Sequence, residues 1–149
     1  MRAIIQRVKE ARVMVDNKTI GEINSGILIF LGIGNNDSEV DIEYLIEKII
    51  NLRIFEDEDE KMNLSALDLG KELLIVSQFT LYGDCRKGRR PSFSAAAPSD
   101  RAIDLYNIFI EKAEQTGLKT ASGQFQAMME VELLNDGPVT LLLDSKKEF

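Results

Sequence analysis

The stretch LLNDGPVTLLL at residues 133–143 places Asn-Asp-Gly-Pro between two apolar runs that have the composition of β-strands. Gly and Pro both weaken the interior of a sheet, and turn residues between two such runs usually form the loop of a β-hairpin. The pattern therefore predicts two strands, residues 128–134 and 139–143, separated by a turn. A hairpin leaves one question open, because it gives the Gly-Pro pair no role beyond reversing the chain.

The rest of the chain is predicted to contain short strands and two helices. Apolar residues at helical spacing predict helices over residues 38–51, where Ser38 and Asp41 are placed as a capping box, and over residues 100–115, which Gly117 closes at its C′ position. The other predicted strands are residues 3–8, 12–15, 19–23, 26–33, 73–76 and 118–121, of which the first three are expected to form a meander. About seven or eight short strands with two main helices predict an α+β fold with a mixed, β-barrel-like sheet.

Length and composition indicate one globular domain over residues 1–149. The chain has 149 residues, of which 44% are hydrophobic and 29% charged, as in ordinary folded proteins. No stretch approaches a membrane span, and charges interrupt the apolar positions of MRAIIQRVKEARV, which is unlike a signal peptide. The single cysteine, Cys85, agrees with a reducing compartment, so a cytoplasmic location is expected.

The sequence contains no histidine, which excludes several kinds of active site. Neither a Ser-His-Asp nor a Cys-His relay can form, and no imidazole can act as a general base. The usual histidine-containing zinc sites are excluded as well, and the sequence indicates no metal or cofactor. Cys85 would be a nucleophile only if Arg86 and its neighbours lowered its pKa, so an inert thiol is the simpler interpretation.

The charges are unevenly distributed along a chain whose net charge is −7. The run FEDEDEK at residues 55–61 predicts a solvated turn, since it lacks the ligand spacing of a calcium-binding loop. In contrast, RKGRR at residues 86–90 brings together the cations Arg86, Lys87, Arg89 and Arg90. Such a cluster is either a solvated loop or a phosphate-binding spot on an otherwise acidic protein.

Gly32-Ile33-Gly34 follows a predicted strand and precedes a helix, as a dinucleotide-binding fingerprint does. Asp37 stands where that fingerprint has its third small residue, and an acid would face a pyrophosphate badly. The alternating βαβ context is also missing. The motif is therefore interpreted as a strand-to-helix turn, with a nucleotide-binding oxidoreductase as the alternative.

Ser77-Gln78-Phe79-Thr80 directly follows the predicted buried strand at residues 73–76, where backbone N–H groups leave the sheet. A polar strand end is the plain interpretation, because Thr80 has no histidine to take its proton and the nearest acid in sequence is Asp84. Backbone N–H groups arranged as an oxyanion hole need no side-chain base. Catalysis by this segment would therefore rely on its main chain.

Five segments together resemble the D-aminoacyl-tRNA deacylase family. They are MRAIIQRV at residues 1–8, NLRIFEDE at 51–58, SQFTL at 77–81, RKGRRPSF at 86–93 and NDGPVTLLLD at 135–144. The resemblance implies a homodimer of barrel-like subunits with active sites at the subunit interface. It also implies hydrolysis of the ester that joins a D-amino acid to the terminal adenosine of tRNA, with glycine mischarged on tRNA(Ala) as a further substrate.

The same resemblance answers the question that the Gly-Pro pair raises. In this family the bond formed here by Gly137 and Pro138 is cis, and both carbonyl oxygens point into the partner subunit's site. There they would occupy the space that an L side chain needs, so that main-chain atoms reject L-aminoacyl esters. Arg7 resembles the residue that braces this loop, and a surface arginine on a strand is the alternative interpretation.

The resemblance also implies which residues line the catalytic pocket. The residues implied to be catalytic are Ser77, Gln78, Phe79 and Thr80. The Phe79 N–H would stabilise the oxyanion, and the ribose 2′-OH of the substrate would assist the attacking water. Phe125, Ala127 and Met129 resemble residues around the adenosine and the aminoacyl group, although core packing would explain Phe125 and Met129 equally well.

The sequence departs from the family pattern at two positions. Gln126 stands where a small residue is usual, and its side chain is expected to narrow or reshape the adenosine pocket. Gly83 stands where Ala is commoner and is expected to have little effect. A competing hypothesis is a tRNA- or DNA-binding module that keeps the fold without hydrolysis, and the cations at residues 86–90 would serve either role.

Overall fold

The computed structural model describes residues 1–148 and has eight strands and three helices in that range. The strands are β1 Arg2–Val15, β2 Lys18–Ile23, β3 Gly26–Gly32, β4 Phe55–Glu56, β5 Met62–Leu64, β6 Glu72–Ser77, β7 Thr120–Ser122 and β8 Glu130–Asp144. The helices are α1 Glu39–Asn51, α2 Ala66–Leu69 and α3 Ser99–Glu114, and a 3-10 turn, Phe79–Tyr82, follows β6. None of the helices in residues 1–148 is long and apolar enough to cross a membrane.

Six of the strands form one mixed sheet in the order β2-β1-β3-β6-β7, with β8 also paired to β1. β1 is antiparallel to its partners β2, β3 and β8, whereas β6 runs parallel to both β3 and β7. β2 also approaches β7, since a Cβ atom on Gly21 would lie 2.6 Å from the carbonyl oxygen of Ser122. The sheet is thus nearly closed into a barrel, which confirms the predicted fold class; the one-turn helix α2 was not predicted.

The amino-terminal strand β1 is one continuous strand, so the predicted meander of residues 3–8, 12–15 and 19–23 is wrong. Its first half pairs with β3 and its second half pairs with β2. Both partners run antiparallel to β1, one after the other, and the chain reverses at Asp16 and Asn17, whose φ angles are +50° and +61°. This part of the barrel is therefore a single long hairpin, with the left-handed turn residues that hairpins favour.

β8 is likewise one strand, antiparallel to β1 along its length, so the carboxyl-terminal hairpin is also wrong. Asn135 and Thr140 lie opposite Val8 and Gln6, so residues 136–139 bulge out opposite a single residue of β1. Extra residues in one strand leave the ladder locally unpaired and bend the strand. The Gly-Pro pair therefore does not reverse the chain; it lies in what we call the Gly-Pro bulge, residues 136–139.

Two apolar cores hold the sheet. The larger lies between the sheet and the helices and includes Leu73, whereas the smaller lies inside the barrel and includes Leu74. These neighbours belong to different cores because successive side chains of a strand point to opposite faces. β6 is therefore buried on both faces, which gives a fixed position to the residues that follow it.

The two long helices begin and end close to the predicted positions. The Asp41 carboxylate accepts a hydrogen bond from the Ser38 N–H at 2.9 Å, which confirms the capping box at the start of α1. Helix α3 ends at Glu114 and is capped by Gln115, so Gly117 lies one residue beyond the predicted C′ position.

Burial alone would raise the pKa of Asp41, but hydrogen bonds from Lys146, Ser145 and Ser38 hold it well below its usual range.

The two acidic loop segments that the sequence singled out are both defined in the structure. Asp37 is buried and accepts hydrogen bonds from the Gly34 N–H and from the amino group of Met1, each at 2.6 Å. The predicted strand-to-helix turn is thus held by its own carboxylate. The acidic run at residues 55–61 forms β4 and the turn to β5, as the solvated-turn prediction required.

Candidate functional site

A cavity of about 750 Å³ lies where β6 ends. It is lined by eight residues that the sequence singled out: Ser77, Gln78, Phe79, Thr80, Phe125, Gln126, Ala127 and Met129. Apolar residues that the sequence did not single out complete the lining, among them Leu31, Ile33, Val76, Ala97, Ala102 and Val131. These six carry no chemical signal in the sequence, because their pattern is that of ordinary core residues. A separate groove of about 510 Å³ contains none of the predicted site residues.

The main chain at the end of β6 is held firmly. The Gln78 N–H donates to the Leu31 carbonyl oxygen at 2.8 Å, and the chain then enters the 3-10 turn Phe79–Tyr82. N–H groups at the start of a helical turn have no acceptor within that turn. The Phe79 N–H is therefore placed beside the cavity without an acceptor from its own turn.

The side chains of Gln78 and Thr80 are joined by a hydrogen bond, in which the Gln78 amide donates to the Thr80 hydroxyl oxygen. A base for Thr80 is still lacking, because the Asp84 carboxylate is engaged by Arg86. The Arg86 guanidinium lies 2.9 and 2.7 Å from its two oxygens and holds the pKa of Asp84 well below its usual range. Cys85 is exposed, and in residues 1–148 no group of three or more Cys, Asp or Glu side chains is arranged to hold a metal.

One wall of the cavity is anchored to α3 through an aromatic contact. The ring centroids of Phe125 and Tyr106 lie 5.8 Å apart. The Tyr106 hydroxyl donates a hydrogen bond to the Ile75 carbonyl oxygen at 2.8 Å. Burial raises the pKa of Tyr106 to about 12, so this hydroxyl stays protonated as a donor. The Gly123 N–H donates to the same Ile75 oxygen at 2.9 Å, which ties the segment before Phe125 to β6.

Gln126 occupies an unusual backbone position at the cavity. Its φ angle is +62°, in the left-handed region, and its exposed side chain lies at the rim. A residue with a side chain is disfavoured there by about 1–2 kcal/mol relative to the right-handed region, and glycine avoids this cost. The sequence analysis considered only the size of this side chain, and the structure adds a left-handed backbone conformation at the same position.

Gly83 lies close to Phe93 and the 3-10 turn, and the expectation that it has little effect stays a prediction. A Cβ atom at this position would lie 3.0 Å from Phe93 Cε1 and 3.0 Å from the Thr80 carbonyl oxygen. Both contacts are tighter than ordinary van der Waals packing, so an alanine would displace Phe93 or the 3-10 turn slightly.

Arg7 is the residue opposite the Gly-Pro bulge, and it is buried, with 4% of its surface exposed. Its guanidinium donates to the carbonyl oxygens of Asp136 and Ile54, and it lies 3.4 Å from the Asp136 carboxylate and 3.7 Å from that of Glu56. The alternative of a surface arginine is therefore wrong. The guanidinium connects the bulge to the segment that precedes β4.

Gly137 and Pro138 of the Gly-Pro bulge are exposed, whereas Val139 is buried, and the bulge lies outside the cavity of its own chain. The bond between Gly137 and Pro138 is cis, as the resemblance implied, and neither residue lines the cavity at the end of β6. Asn135 closes the base of the bulge, because its side-chain amide donates to the carbonyl oxygens of Arg7 and Val139 at 2.9 and 3.0 Å. The structure thus brings Arg7 to the bulge but separates both from the other predicted site residues.

Replacing Gly137 by Ala is expected to destabilise the protein more than the same replacement at a glycine that has open space around it. Gly137 has a φ angle of +119°, and an added Cβ would lie 2.5 Å from Arg7 Nη2 and 3.1 Å from Val139 Cγ2. Backbone strain and this close approach together should lower the free energy of unfolding by about 2–3 kcal/mol, measured by urea denaturation.

The matched control for this change is Gly117→Ala. Gly117 has a φ angle of +84°, and a Cβ there would meet nothing within 4 Å. It should therefore lose only the backbone component, about 1 kcal/mol. Equal losses in the two variants would mean that Arg7 moves aside freely and does not fix the bulge.

The cations of residues 86–90 lie on an exposed loop, as one sequence interpretation required. They are not equivalent, since Arg86 pairs with Asp84 whereas Lys87, Arg89 and Arg90 pair with no carboxylate in residues 1–148. The Phe79 and Phe93 rings lie beside this loop with centroids 5.0 Å apart. The structure therefore leaves three cations of this loop available to an anionic ligand.

Comparisons with known proteins agree with these observations. The family model described as D-Tyr-tRNA(Tyr) deacylase matches residues 4–144. Proteins named D-aminoacyl-tRNA deacylase from Thermosipho africanus and Clostridioides difficile are 63% and 60% identical to this chain, and in each case the match covers 100% of both chains. Among solved structures, one titled c-Myc DNA Unwinding Element Binding Protein is 42% identical, with a TM-score of 0.91 over 97% of this chain and 98% of that chain. A probable eukaryotic D-amino acid tRNA deacylase shares the fold at 17% identity, with a TM-score of 0.83 over 95% of this chain and 97% of that one.

Proposed function

The chain belongs to the D-Tyr-tRNA(Tyr) deacylase family, and on that premise we propose that it hydrolyses the ester between a D-amino acid and the terminal adenosine of tRNA. The protein is accordingly an enzyme that acts on ester bonds. The observation that carries the substrate proposal is the cavity at the end of β6, because it gathers Ser77–Thr80 and the segment around Phe125 into one site. The products are the free D-amino acid and tRNA, so the reaction clears mischarged tRNA before translation uses it.

The proposed chemistry relies on the main chain and on the substrate. Water adds to the ester carbonyl carbon, and the Phe79 N–H donates to the oxyanion that forms. The ribose 2′-OH of the substrate orients the attacking water through a hydrogen bond. The water gives up one proton as it adds, and the ribose oxygen takes up one proton as its ester bond breaks. An aminoacyl ester is already activated, so positioning and oxyanion stabilisation suffice without a histidine. The largely apolar lining supports this proposal, because hydrogen bonds to a developing charge are stronger away from water.

The proposed stereochemical selection is exerted by a second copy of the chain. The carbonyl oxygens of Gly137 and Pro138 enter the partner's cavity and exclude the side chain of an L-amino acid, while glycine has no side chain to exclude. Two features support this arrangement: Gly137 and Pro138 are exposed in a bulge that Arg7 holds at Asp136, and the bulge lies outside its own chain's cavity. The apolar side chains of Leu134 and Leu142 on β8 are also exposed beside it, as an interface would require.

The decisive experiment is to incubate the purified protein with D-Tyr-tRNA, L-Tyr-tRNA and glycyl-tRNA and to measure the ester that remains. We expect loss of the D-tyrosyl and glycyl esters and retention of the L-tyrosyl ester. Retention of the D ester would refute the enzymatic proposal. Equal loss of the D and L esters would leave hydrolysis in place and refute the stereochemical proposal.

A second candidate function is binding of DNA or tRNA without hydrolysis. The 42% identical structure titled as a DNA unwinding element binding protein favours it, as do the unpaired cations Lys87, Arg89 and Arg90. The complete Ser77–Thr80 segment at a cavity favours the enzyme, since binding alone does not require such a site. The ester assay above separates the two candidates directly.

Replacing Arg89 and Arg90 together by Ala is expected to weaken tRNA binding and to reduce its salt dependence. Removing one phosphate-binding cation should lower the slope of log K against log salt by about 0.7–0.9, so the double variant should reduce the slope by about 1.5. Fluorescence anisotropy at several salt concentrations measures both quantities.

Arg86→Ala is the matched control for the double variant. Because Asp84 already pairs with Arg86, this change should alter the salt slope by less than about 0.5. An unchanged slope in the Arg89/Arg90 variant would remove these two residues from the phosphate-binding site.

A further inference from the structure

Phe79 and Phe93 form an exposed aromatic pair at the mouth of the cavity. Their ring centroids lie 5.0 Å apart with an interplanar angle of 66°, and 58% of Phe79 and 36% of Phe93 remain exposed. Phe79 lines the cavity, whereas Phe93 stands outside it. The pair therefore extends an aromatic surface from the catalytic cavity outward.

The cations of residues 86–90 lie on a loop whose base adjoins this aromatic pair. Asp84 and Ser92 exchange two backbone hydrogen bonds, at 2.8 and 3.0 Å, and so close the loop that carries the cations. Phe93 follows directly after this closure and packs over Gly83, where there is no side chain to keep it away. The rings thus stand at the base of the loop and the cations at its tip.

We propose that the Phe79–Phe93 pair stacks against the base of the nucleotide that precedes the terminal adenosine, while Lys87, Arg89 and Arg90 contact the neighbouring phosphates. This inference rests on the proposed function, because it assumes that the terminal adenosine occupies the cavity. Aromatic rings beside a cationic surface are the combination by which proteins hold single-stranded nucleic acid. A single-stranded 3′ end presents both the flat base and the phosphates that this combination fits.

The charges indicate why nucleic acid is the occupant. Lys87, Arg89 and Arg90 have no carboxylate partner in residues 1–148, on a protein whose net charge is −7. A positive spot that persists on an acidic chain is suited to a polyanion. Stacking tolerates any base, so the platform would hold the 3′ end that all tRNAs share and leave the amino acid to be recognised in the cavity.

The test compares Phe93→Leu with Phe93→Tyr on two substrates, D-Tyr-tRNA and D-tyrosyl-adenosine, which lacks every other nucleotide. Leucine removes the ring and keeps an apolar side chain, whereas tyrosine keeps the ring. For Phe93→Leu we expect KM for D-Tyr-tRNA to rise by about tenfold with little change in kcat. We expect its kinetics on D-tyrosyl-adenosine to stay within about twofold of wild type, and Phe93→Tyr to resemble wild type on both substrates.

Binding of uncharged tRNA gives a readout that does not depend on catalysis. Phe93→Leu should weaken binding of intact tRNA by about tenfold and leave unchanged the binding of tRNA trimmed by its last two nucleotides. Two results would overturn the proposed stacking role. One is that Phe93→Leu loses activity equally on D-Tyr-tRNA and D-tyrosyl-adenosine. The other is that Phe93→Leu binds intact tRNA as tightly as the wild-type protein does. Failure of the proposed function looks different, because the wild-type protein would then hydrolyse neither substrate.

Discussion

We expect Phe79→Pro to lower the rate of D-aminoacyl ester hydrolysis by about 100-fold or more, the loss typical when one oxyanion donor is removed. Proline has no N–H, so the group proposed to stabilise the oxyanion disappears. The effect should fall on kcat for the minimal substrate D-tyrosyl-adenosine, because the donor acts in the transition state. Single-turnover hydrolysis of this ester isolates the chemical step from tRNA binding.

The local backbone allows this substitution without unfolding. Phe79 is the first residue of the 3-10 turn, a position where proline is well tolerated because its missing N–H has no acceptor within the turn. Gln78 before it has φ −144° and ψ 77°, outside the helical region that a following proline disfavours. Thermal melting of the variant should therefore stay close to that of the wild-type protein.

Phe79→Leu supplies the control, since it removes the ring and keeps the N–H. Its rate on D-tyrosyl-adenosine should fall by less than about tenfold, well short of the loss in the proline variant. If the two variants lose activity equally, the ring and not the N–H carries the effect. If Phe79→Pro keeps nearly full activity, the oxyanion proposal fails at this residue.

The sequence was most informative where local pattern and tertiary structure agree. The capping box of Ser38 and Asp41 and the buried strand before Ser77 are local features, and both appear close to their predicted positions. The resemblance to the deacylase family assigned Ser77–Thr80 to the site, and the structure places this segment after β6, beside the cavity. The strand itself could be recognised from its continuous apolar run, which is typical of a strand buried on both faces.

The sequence was misleading where the partner strand decides the structure. Residues 135–138 have the composition of a hairpin turn, yet β1 pairs with the chain on both sides of them, so the strand continues past them in the same direction. Arg7, which binds the resulting bulge, is 129 positions from Asp136 in sequence. A contact of this separation leaves no local pattern, and the same holds for the aromatic contact between Phe79 and Phe93.

Replacing Arg7 by Met is expected to lower the free energy of unfolding by about 2–4 kcal/mol and to reduce discrimination between D and L esters. Methionine keeps much of the apolar volume but leaves the carbonyl oxygens of Ile54 and Asp136 without their donor. An unpaired buried acceptor costs about 1–3 kcal/mol, whereas the Asp136 and Glu56 carboxylates are partly exposed and lose less when their partner is removed. Urea denaturation measures the loss of stability.

The loss of discrimination follows from the position of Arg7 at the Gly-Pro bulge. Without the guanidinium, the bulge keeps the hydrogen bond from Asn135 to Val139 but is no longer held at Asp136. Main-chain oxygens that exclude an L side chain must be held rigidly, because a shift of about 1 Å is enough to admit it. The rate ratio of D-Tyr-tRNA to L-Tyr-tRNA hydrolysis should therefore fall, mainly through faster loss of the L ester.

Arg12→Met separates this role from the general effect of removing an arginine from β1. Arg12 lies on the same strand, but its side chain is 50% exposed and its partner Glu132 is exposed as well, so the change should cost less than about 1 kcal/mol. Its ratio of D to L hydrolysis should equal that of the wild-type protein. If Arg7→Met is destabilised but retains the full ratio, Arg7 supports the fold alone and the bulge keeps its position without it. A reduced ratio in Arg7→Met with an unchanged one in Arg12→Met would instead tie stereochemical selection to the buried guanidinium.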